Sequence, residues 1–391
     1  MKDHKLFTVI PYKDKLIQLE NPVVAIAYYK DHALDLLTGK KLELKVEDFL
    51  AECREIKIND QFLRPRIMHL FYELGFFMDK QHESLSADSL LAIDLSYETF
   101  RPLKMNQAKK IRLKKLASPD KQDYQKSFSE GYEELLKGNC YQFNLTYPFL
   151  YEFEEGLSPY DFIFALWKKQ SVRGAFGSAT YLPSLKKMFF SNSPECLFQL
   201  KDQILSSMPI KGTLKRSEDE DWRLLWKKLT NDKKSQAELF MISDLLRNDL
   251  SKIEKPRAQI VKAKFPKLVP GLLHQYSQID VHLSEEVTLL KILESLFPGG
   301  SITGAPKVRV MKILQRLEKR ERSFYCGSTV LMFGKMKSAS INIRSAEINF
   351  HNDQRTLCYQ AGGGITLLSC ADEEFQEMTY KHNSFIDALT L

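Results

Sequence analysis

A lysine flanked by Ile210 and Gly212, in the run Pro209-Ile210-Lys211-Gly212-Thr213, sits where a strand would pass into a turn. An amine there can serve as a charge or, once uncharged, as a nucleophile. Four further sets of residues could join it. Glu374, Glu377 and Lys381 stand at i, i+3 and i+7 of a pattern whose apolar positions are Phe375, Met378, Phe385, Ile386 and Leu389, so all three fall on one helix face. Alone, that is a surface acid-lysine ladder. Glu238 opens a second amphipathic stretch with Leu239, Ile242, Leu245 and Leu246 on its apolar stripe, where a first-turn carboxylate would serve the helix dipole. Arg344, alternating with Ile341 and Ile343, has a guanidinium suited to a carboxylate or to a structural ion pair. Glu195, in Ser193-Pro194-Glu195, could transfer a proton near neutral pH only if an apolar pocket raised its pKa, and His274 is a lone imidazole.

Two glycine-rich blocks accompany these side chains. Pro298-Gly299-Gly300-Ser301-Ile302-Thr303-Gly304-Ala305-Pro306 reads as a flexible, hydroxyl-bearing loop leading into a helix, whose N-terminal amides could receive an anion or simply be capped. It is not a Walker A loop, because Ala305 follows Gly304. Gly362-Gly363-Gly364, after a strand-like run over 356–361, allows backbone amides close to a ligand and equally suits a plain turn.

The elements that must hold these residues belong to a chain of 391 residues, 43% hydrophobic, enough for one large domain or two. Its longest apolar runs, such as 23–29, are too short to span a bilayer, and the start at Met1-Lys2-Asp3 lacks an apolar leader. Cys53, Cys140, Cys196, Cys326, Cys358 and Cys370 show no metal-ligand spacing, so reduced thiols in a cytoplasmic protein are expected, with neither disulfides nor zinc. The net charge of +7 could help attract a dianionic substrate. The basic run over 101–121 has no aromatic-basic stripe beside it, which argues against nucleic acid. The polar, basic segment 104–125 marks the expected internal boundary: residues 1–122 as an N-terminal mixed part and 123–391 as the catalytic part. Helical patterns are expected over 46–56 and over 124–137, the latter ended by Gly138, with strands over 23–29 and 141–147.

Taken in order, the blocks around Lys211, Glu238 to Asp249, Pro298 to Lys307, Ile343-Arg344-Ser345-Ala346 and Gly362-Gly363-Gly364 resemble one family, the chorismate-utilising enzymes, from about residue 126 to the end. The resemblance implies an α+β fold of two packed antiparallel β-sheets with helices outside. It implies Mg²⁺ held by Glu238 and Glu377, with Glu374 behind them. Lys381, Thr213, Tyr325, Arg344, Gly362, Gly363 and Gly364 would bind the substrate, chorismate. Glu195 would transfer a proton, and His274 would stand near the departing group.

Within the family, two positions bear on the nucleophile. Water-using members carry a lysine base in the strand matching Tyr141-Gln142-Phe143-Asn144, and this chain has Gln142, which favours ammonia. Lys211 stands where anthranilate synthases carry a small residue and aminodeoxychorismate synthases a lysine. The resemblance therefore points to the aminodeoxychorismate synthase branch (component I), with the anthranilate synthase branch as the alternative enzyme and a non-catalytic metabolite-binding regulatory subunit as the alternative outside catalysis. No glutaminase signature is evident, so a separate glutamine amidotransferase subunit is the implied ammonia source. Leu368 departs from the family's usual acid, Ser345 from threonine and Ser243 from valine.

Overall fold

A computed structural model of the protein describes residues 4–81, 85–168, 173–217, 220–269, 272–351 and 354–390; the Met1-Lys2-Asp3 start lies outside them. Its strands pair antiparallel in one continuous order. The first half runs Leu113–Ala117, Gln142–Phe153, Gln354–Ile365, Ser345–His351, Lys187–Ser191, Ser178–Leu182 and Phe7–Tyr12. From there Lys15–Tyr29 leads into the second half: Leu90–Pro102, Phe62–Leu70, Ser328–Gly334, Met336–Ile341, Cys196–Lys201, Ile204–Ser207, Leu272–His282 and Gln259–Val269.

The long strand Lys15–Tyr29 is irregular between Pro22 and Val24, and around it the two halves turn to face one another. Side chains far apart in pairing order prove the closure: His69 Nε2 lies 2.8 Å from Thr180 Oγ1, across from Phe62–Leu70 to Ser178–Leu182. Between the layers pack Leu19, Ile67, Ile93, Leu95, Leu182, Phe189 and Phe324. Outside the first half lie the helices Lys121–Leu136, Pro159–Trp167, Lys307–Glu318 and Ala371–Thr390, contributing Phe128, Phe162, Val310 and Met378 to a second core. Outside the second half lie Val46–Glu55, Lys233–Leu250 and Leu289–Leu296, with Phe49, Leu246 and Leu293 buried. This is the expected α+β arrangement, with its two antiparallel layers hydrogen-bonded into one sheet.

Local signals mostly land where expected. The helix read over 46–56 forms at Val46–Glu55, and the one read over 124–137 forms at Lys121–Leu136, started by Asp120, whose carboxylate accepts the amides of Gln122 and Asp123. Gly138 follows it at φ +70°. Residue 122 falls near the start of this helix, and strands from both sides of it pair, as Phe7–Tyr12 does with Ser178–Leu182. Among the described residues no helix is long and apolar enough to cross a membrane.

Candidate active site

Lys211 lies on the strand Ile210–Lys215, which pairs with Leu272–His282. Ile210 opposes Tyr276, but Thr213 opposes His274, so one extra residue is accommodated at Lys211-Gly212. Such a bulge re-aims a side chain. Gly212 makes it possible: its φ is +78°, and a Cβ there would come within 2.9 Å of Leu229. The Lys211 side chain makes no hydrogen bond or ion pair with a described residue. Its charge nevertheless pulls down the carboxyl pKa values of Glu195, Glu238 and Glu377, which places those three acids around it.

Glu195 is buried just ahead of Cys196–Lys201, its carbonyl accepting the Ile341 amide and its Oε1 accepting the Ser301 hydroxyl at 2.9 Å. Burial pushes its carboxyl above the ordinary range, against the charge of Lys211, the Ser301 hydrogen bond and the charge of Lys267. That is the environment a proton-donating glutamate requires.

The first-turn expectation for Glu238 does not hold. The helix Lys233–Leu250 begins five residues earlier, capped by Asp232, whose carboxylate accepts the Ser235 amide. Glu238 is in the second turn, beyond the reach of the dipole, and half-buried. Burial raises its pKa; Lys211 and Lys234 oppose this, while the like charges of Glu377 and Glu374 reinforce it.

Nor is the C-terminal ladder a surface one. On Ala371–Thr390, Glu374 is 2% exposed, taking hydrogen bonds from Lys234 Nζ at 3.0 Å and from the Ser369 hydroxyl at 2.8 Å. Glu377 pairs with Lys381 at 2.8 Å. Burial acts to raise the Glu377 pKa, but the charge and hydrogen bond of Lys381, with Lys234 and Lys211 behind, hold it below the usual carboxylate range. Lys381 also donates to the Gly362 carbonyl at 2.9 Å.

Gly362, Gly363 and Gly364 form no turn. They continue the strand Gln354–Ile365, opposite Thr146, Leu145 and Asn144. Space is tightest at Gly362, where a Cβ would lie 2.2 Å from the Leu145 carbonyl oxygen; one on Gly363 would lie 2.9 Å from Glu374 Oε2, and one on Gly364 2.6 Å from Gln142 Nε2, so that those side-chain ends would have to move. Gln142 is itself buried, and its Oε1 has no hydrogen-bond partner. The expected flexible loop is likewise packed structure. Gly300–Thr303 is a buried helical turn, Gly304–Ala305 pairs with Gln142 and Phe143, and Pro306 is the N-cap of Lys307–Glu318.

Arg344 departs from the extended conformation read for it. Met336–Ile341 ends three residues earlier, and Arg344, at φ +50°, is exposed in the connection to Ser345–His351. Its charge reaches His274 and Tyr359. His274 accepts or donates a hydrogen bond through Nδ1 to the Thr213 hydroxyl at 2.8 Å. Burial, with Arg344 and Lys267 adding, drives its pKa down to about 4, so it is a neutral imidazole at pH 7. Tyr325 is buried, its phenol pushed far above the ordinary range by burial and lying near Tyr359.

The structure thus gathers Lys211, Glu195, Glu238 and Glu377 around one centre, with Lys381 and Gly362 on one side of it and Thr213, His274 and Arg344 on another. Tyr325 joins through Tyr359. Sequence reasoning passed over Ser301, Lys234 and Lys267. Ser301 lay inside a motif already singled out, whereas the two lysines had no local signal, being ordinary charged residues until strand pairing and helix packing bring them in. Among the described residues no three His, Cys, Asp or Glu side chains converge as a metal cluster. Two surface cavities, of about 470 Å³ beside Arg112 and Glu154 and about 230 Å³ beside Tyr72 and Arg320, include none of the gathered residues.

A sequence model for the chorismate binding enzyme family matches residues 46–387, beginning well ahead of the region where the motifs cluster. The chain is 32% identical over 329 residues to aminodeoxychorismate synthase component 1 of Salmonella typhimurium, covering 81% of this chain and 69% of that protein. It is 35% identical over 277 residues to the Escherichia coli protein of the same name, covering 69% and 58%. Among solved structures it resembles anthranilate synthase component I from Streptococcus pneumoniae, with a TM-score of 0.74, 20% identity and coverage of 98% and 95%. It also resembles the isochorismate synthase MenF from Escherichia coli, with a TM-score of 0.72, 16% identity and coverage of 99% and 89%.

Proposed function

The chain belongs to the chorismate binding enzyme family, and from that premise we propose that it acts as component I of an aminodeoxychorismate synthase. It would convert chorismate and ammonia to 4-amino-4-deoxychorismate and water, the amination that precedes p-aminobenzoate and folate. The observation that carries this reading is Lys211, on its bulge and without an ion pair to any described residue, near the buried acid Glu195 and the carboxylates Glu238 and Glu377.

In the first step the neutral Lys211 amine attacks ring carbon 2. The ring double bond shifts, the carbon 4 to oxygen bond breaks, and Glu195 gives its proton to the departing hydroxyl, releasing water. In the second step ammonia attacks carbon 4, the double bond shifts back, and the Lys211 nitrogen leaves carbon 2. Two allylic displacements return the substituent to carbon 4, whereas direct attack of ammonia at carbon 2 leads toward anthranilate. Glu195 lies close enough to Lys211 for the lysine's charge to oppose the burial that raises its carboxyl pKa, which puts the acid and the nucleophile within reach of one substrate ring. Neutral His274 is a hydrogen-bonding group beside the leaving oxygen rather than a proton donor.

Glu238 and Glu377 fit magnesium by donor chemistry. Both offer hard carboxylate oxygens, and the charge of Glu377 adds to the burial that raises the Glu238 pKa, a repulsion that a bound divalent cation would relieve. A bound ion would supply charge neutralisation for a substrate carboxylate. Lys381 and Lys234 hold Glu377 and Glu374 in place, and Arg344 offers a guanidinium to the second carboxylate. Ammonia would come from a separate glutamine amidotransferase subunit.

The test is product identification by mass spectrometry after incubation with chorismate, Mg²⁺ and ammonium. An aminated product that keeps the pyruvyl ether supports the reading. Pyruvate release with anthranilate assigns the anthranilate branch, and no turnover points to a metabolite-binding subunit.

A further inference from the structure

The strands Ile210–Lys215, Leu272–His282 and Gln259–Val269 lie side by side, and their register sets Thr213, His274 and Lys267 in one row: Thr213 opposes His274, and Lys267 opposes His274 from the other side. Directly opposed residues of an antiparallel pair project from the same face. The 2.8 Å contact between the Thr213 hydroxyl and His274 Nδ1 fixes which face that is. Lys267 therefore stands beside His274 on the face turned toward Glu195 and Arg344, and its charge reaches both Glu195 and His274.

Lys267 is half-buried and, like Arg344, makes no ion pair or hydrogen bond to a described side chain. Other lysines nearby are satisfied: Lys234 by Glu374, Lys381 by Glu377, and Lys264 over the Phe240 ring at 4.8 Å. Two cations flanking a neutral imidazole, without a counter-ion among the described residues, form a place for an external anion.

We infer that Lys267 is a further substrate-binding residue, contributing with Arg344 and His274 to a subsite for a carboxylate of the substrate. This rests on the reading of the chain as a chorismate-aminating enzyme. It adds a contact from the edge strand Gln259–Val269, which carries none of the residues read from the sequence. Lys267 also tunes Glu195. The charged groups facing Glu195 are Lys211 from Ile210–Lys215 and Lys267 from Gln259–Val269, and both favour its ionised form. Loss of Lys267 raises the Glu195 pKa, so the protonated acid survives to higher pH.

The experiment compares wild type, Lys267→Ala, Lys267→Arg and, as a control on the same strand, Lys264→Ala in steady-state amination of chorismate with Mg²⁺ and ammonium. Lys267→Ala should raise KM for chorismate by about tenfold with kcat changed less than about threefold, the signature of lost binding rather than lost chemistry. Its alkaline limb in the kcat profile should move to higher pH. Lys267→Arg should restore KM, and Lys264→Ala should match wild type. An unchanged KM and pH profile in Lys267→Ala, with wild type active, overturns the inference. So does an equal KM increase in Lys264→Ala, which would make the effect one of general surface charge. A wild-type chain that does not aminate chorismate overturns the underlying reading, and the inference with it.

Discussion

The two walls of the site treat charge in opposite ways. On the helical wall, formed by Lys233–Leu250 and Ala371–Thr390, Lys234 pairs with Glu374 and Lys381 pairs with Glu377. On the strand wall, Lys211, Lys267 and Arg344 form no ion pair with a described residue: Lys211 faces Glu195, Glu238 and Glu377 without pairing, and Lys267 and Arg344 stand beside the neutral His274. A self-paired wall is preorganised: its carboxylates are held in place before anything binds. An unpaired wall carries positive potential and pays the cost of half-burying charge until an anion arrives. The difference assigns positioning to the helices and attraction and chemistry to the strands.

The largest effect should come from the strand wall. Lys211→Ala should lower 4-amination by about a thousandfold or more while leaving chorismate affinity within about tenfold, since the lysine acts in the chemical step. With chorismate and Mg²⁺ but no ammonia, wild type should give a mass-detectable adduct on the peptide containing Lys211, and Lys211→Ala should not. Residual reaction in the variant should drift toward carbon 2. A variant with full rate and the same product would reduce Lys211 to an electrostatic residue and erase the division of labour between the walls.

On the helical wall the effects should be smaller and should appear in metal dependence. Glu238→Gln and Glu377→Gln should each raise the Mg²⁺ concentration needed for half-maximal substrate binding by about ten- to hundredfold, because each removes a charged hard ligand. Glu374→Gln should do less to the metal. Glu374 is buried against Gly363 and occupied by Lys234 and Ser369, so its loss should show mainly as lower thermal stability. Titration of Mg²⁺ against chorismate affinity separates these cases. Equal effects of all three variants would make Glu374 a ligand as well.

How much of this was legible depends on the range of the forces involved. Helices over 46–56 and 124–137 were readable because amphipathic spacing and a Gly138 stop are local. The acids and Lys381 were readable as one helix face for the same reason. The glycine triplet was not readable as strand, since its small size answers first to the Leu145 carbonyl and then to Glu374 and Gln142, which approach from other elements. Glu238 was misplaced within its helix because the capping Asp232 sits in a run of polar residues with no apolar onset to mark it. The Arg344 backbone turn and the Lys267 row follow from pairing and connection geometry, which no window of sequence contains.

The smallest effect separates stability from activity at the boundary between the walls. Glu195 is an acid whose folded pKa is raised, chiefly by burial. Such a group binds its proton more tightly in the folded than in the unfolded chain. Its contribution favours folding at low pH and turns into a cost as pH rises above the unfolded value, where the unfolded carboxyl ionises freely. Glu195→Gln removes that cost and keeps an oxygen to accept from Ser301. The variant should gain stability at pH 7, on the scale of about 1 kcal/mol that favourable single substitutions provide, with the gain disappearing as pH falls toward 4. Amination should be lost, because the amide cannot protonate the departing hydroxyl. Urea denaturation at pH 7 and at pH 4.5 measures both the sign and the trend. A variant less stable at pH 7 than at pH 4.5, relative to wild type, would mean that the Glu195 carboxylate is held ionised by Lys211 and Lys267. The strand wall would then be self-paired like the helical one.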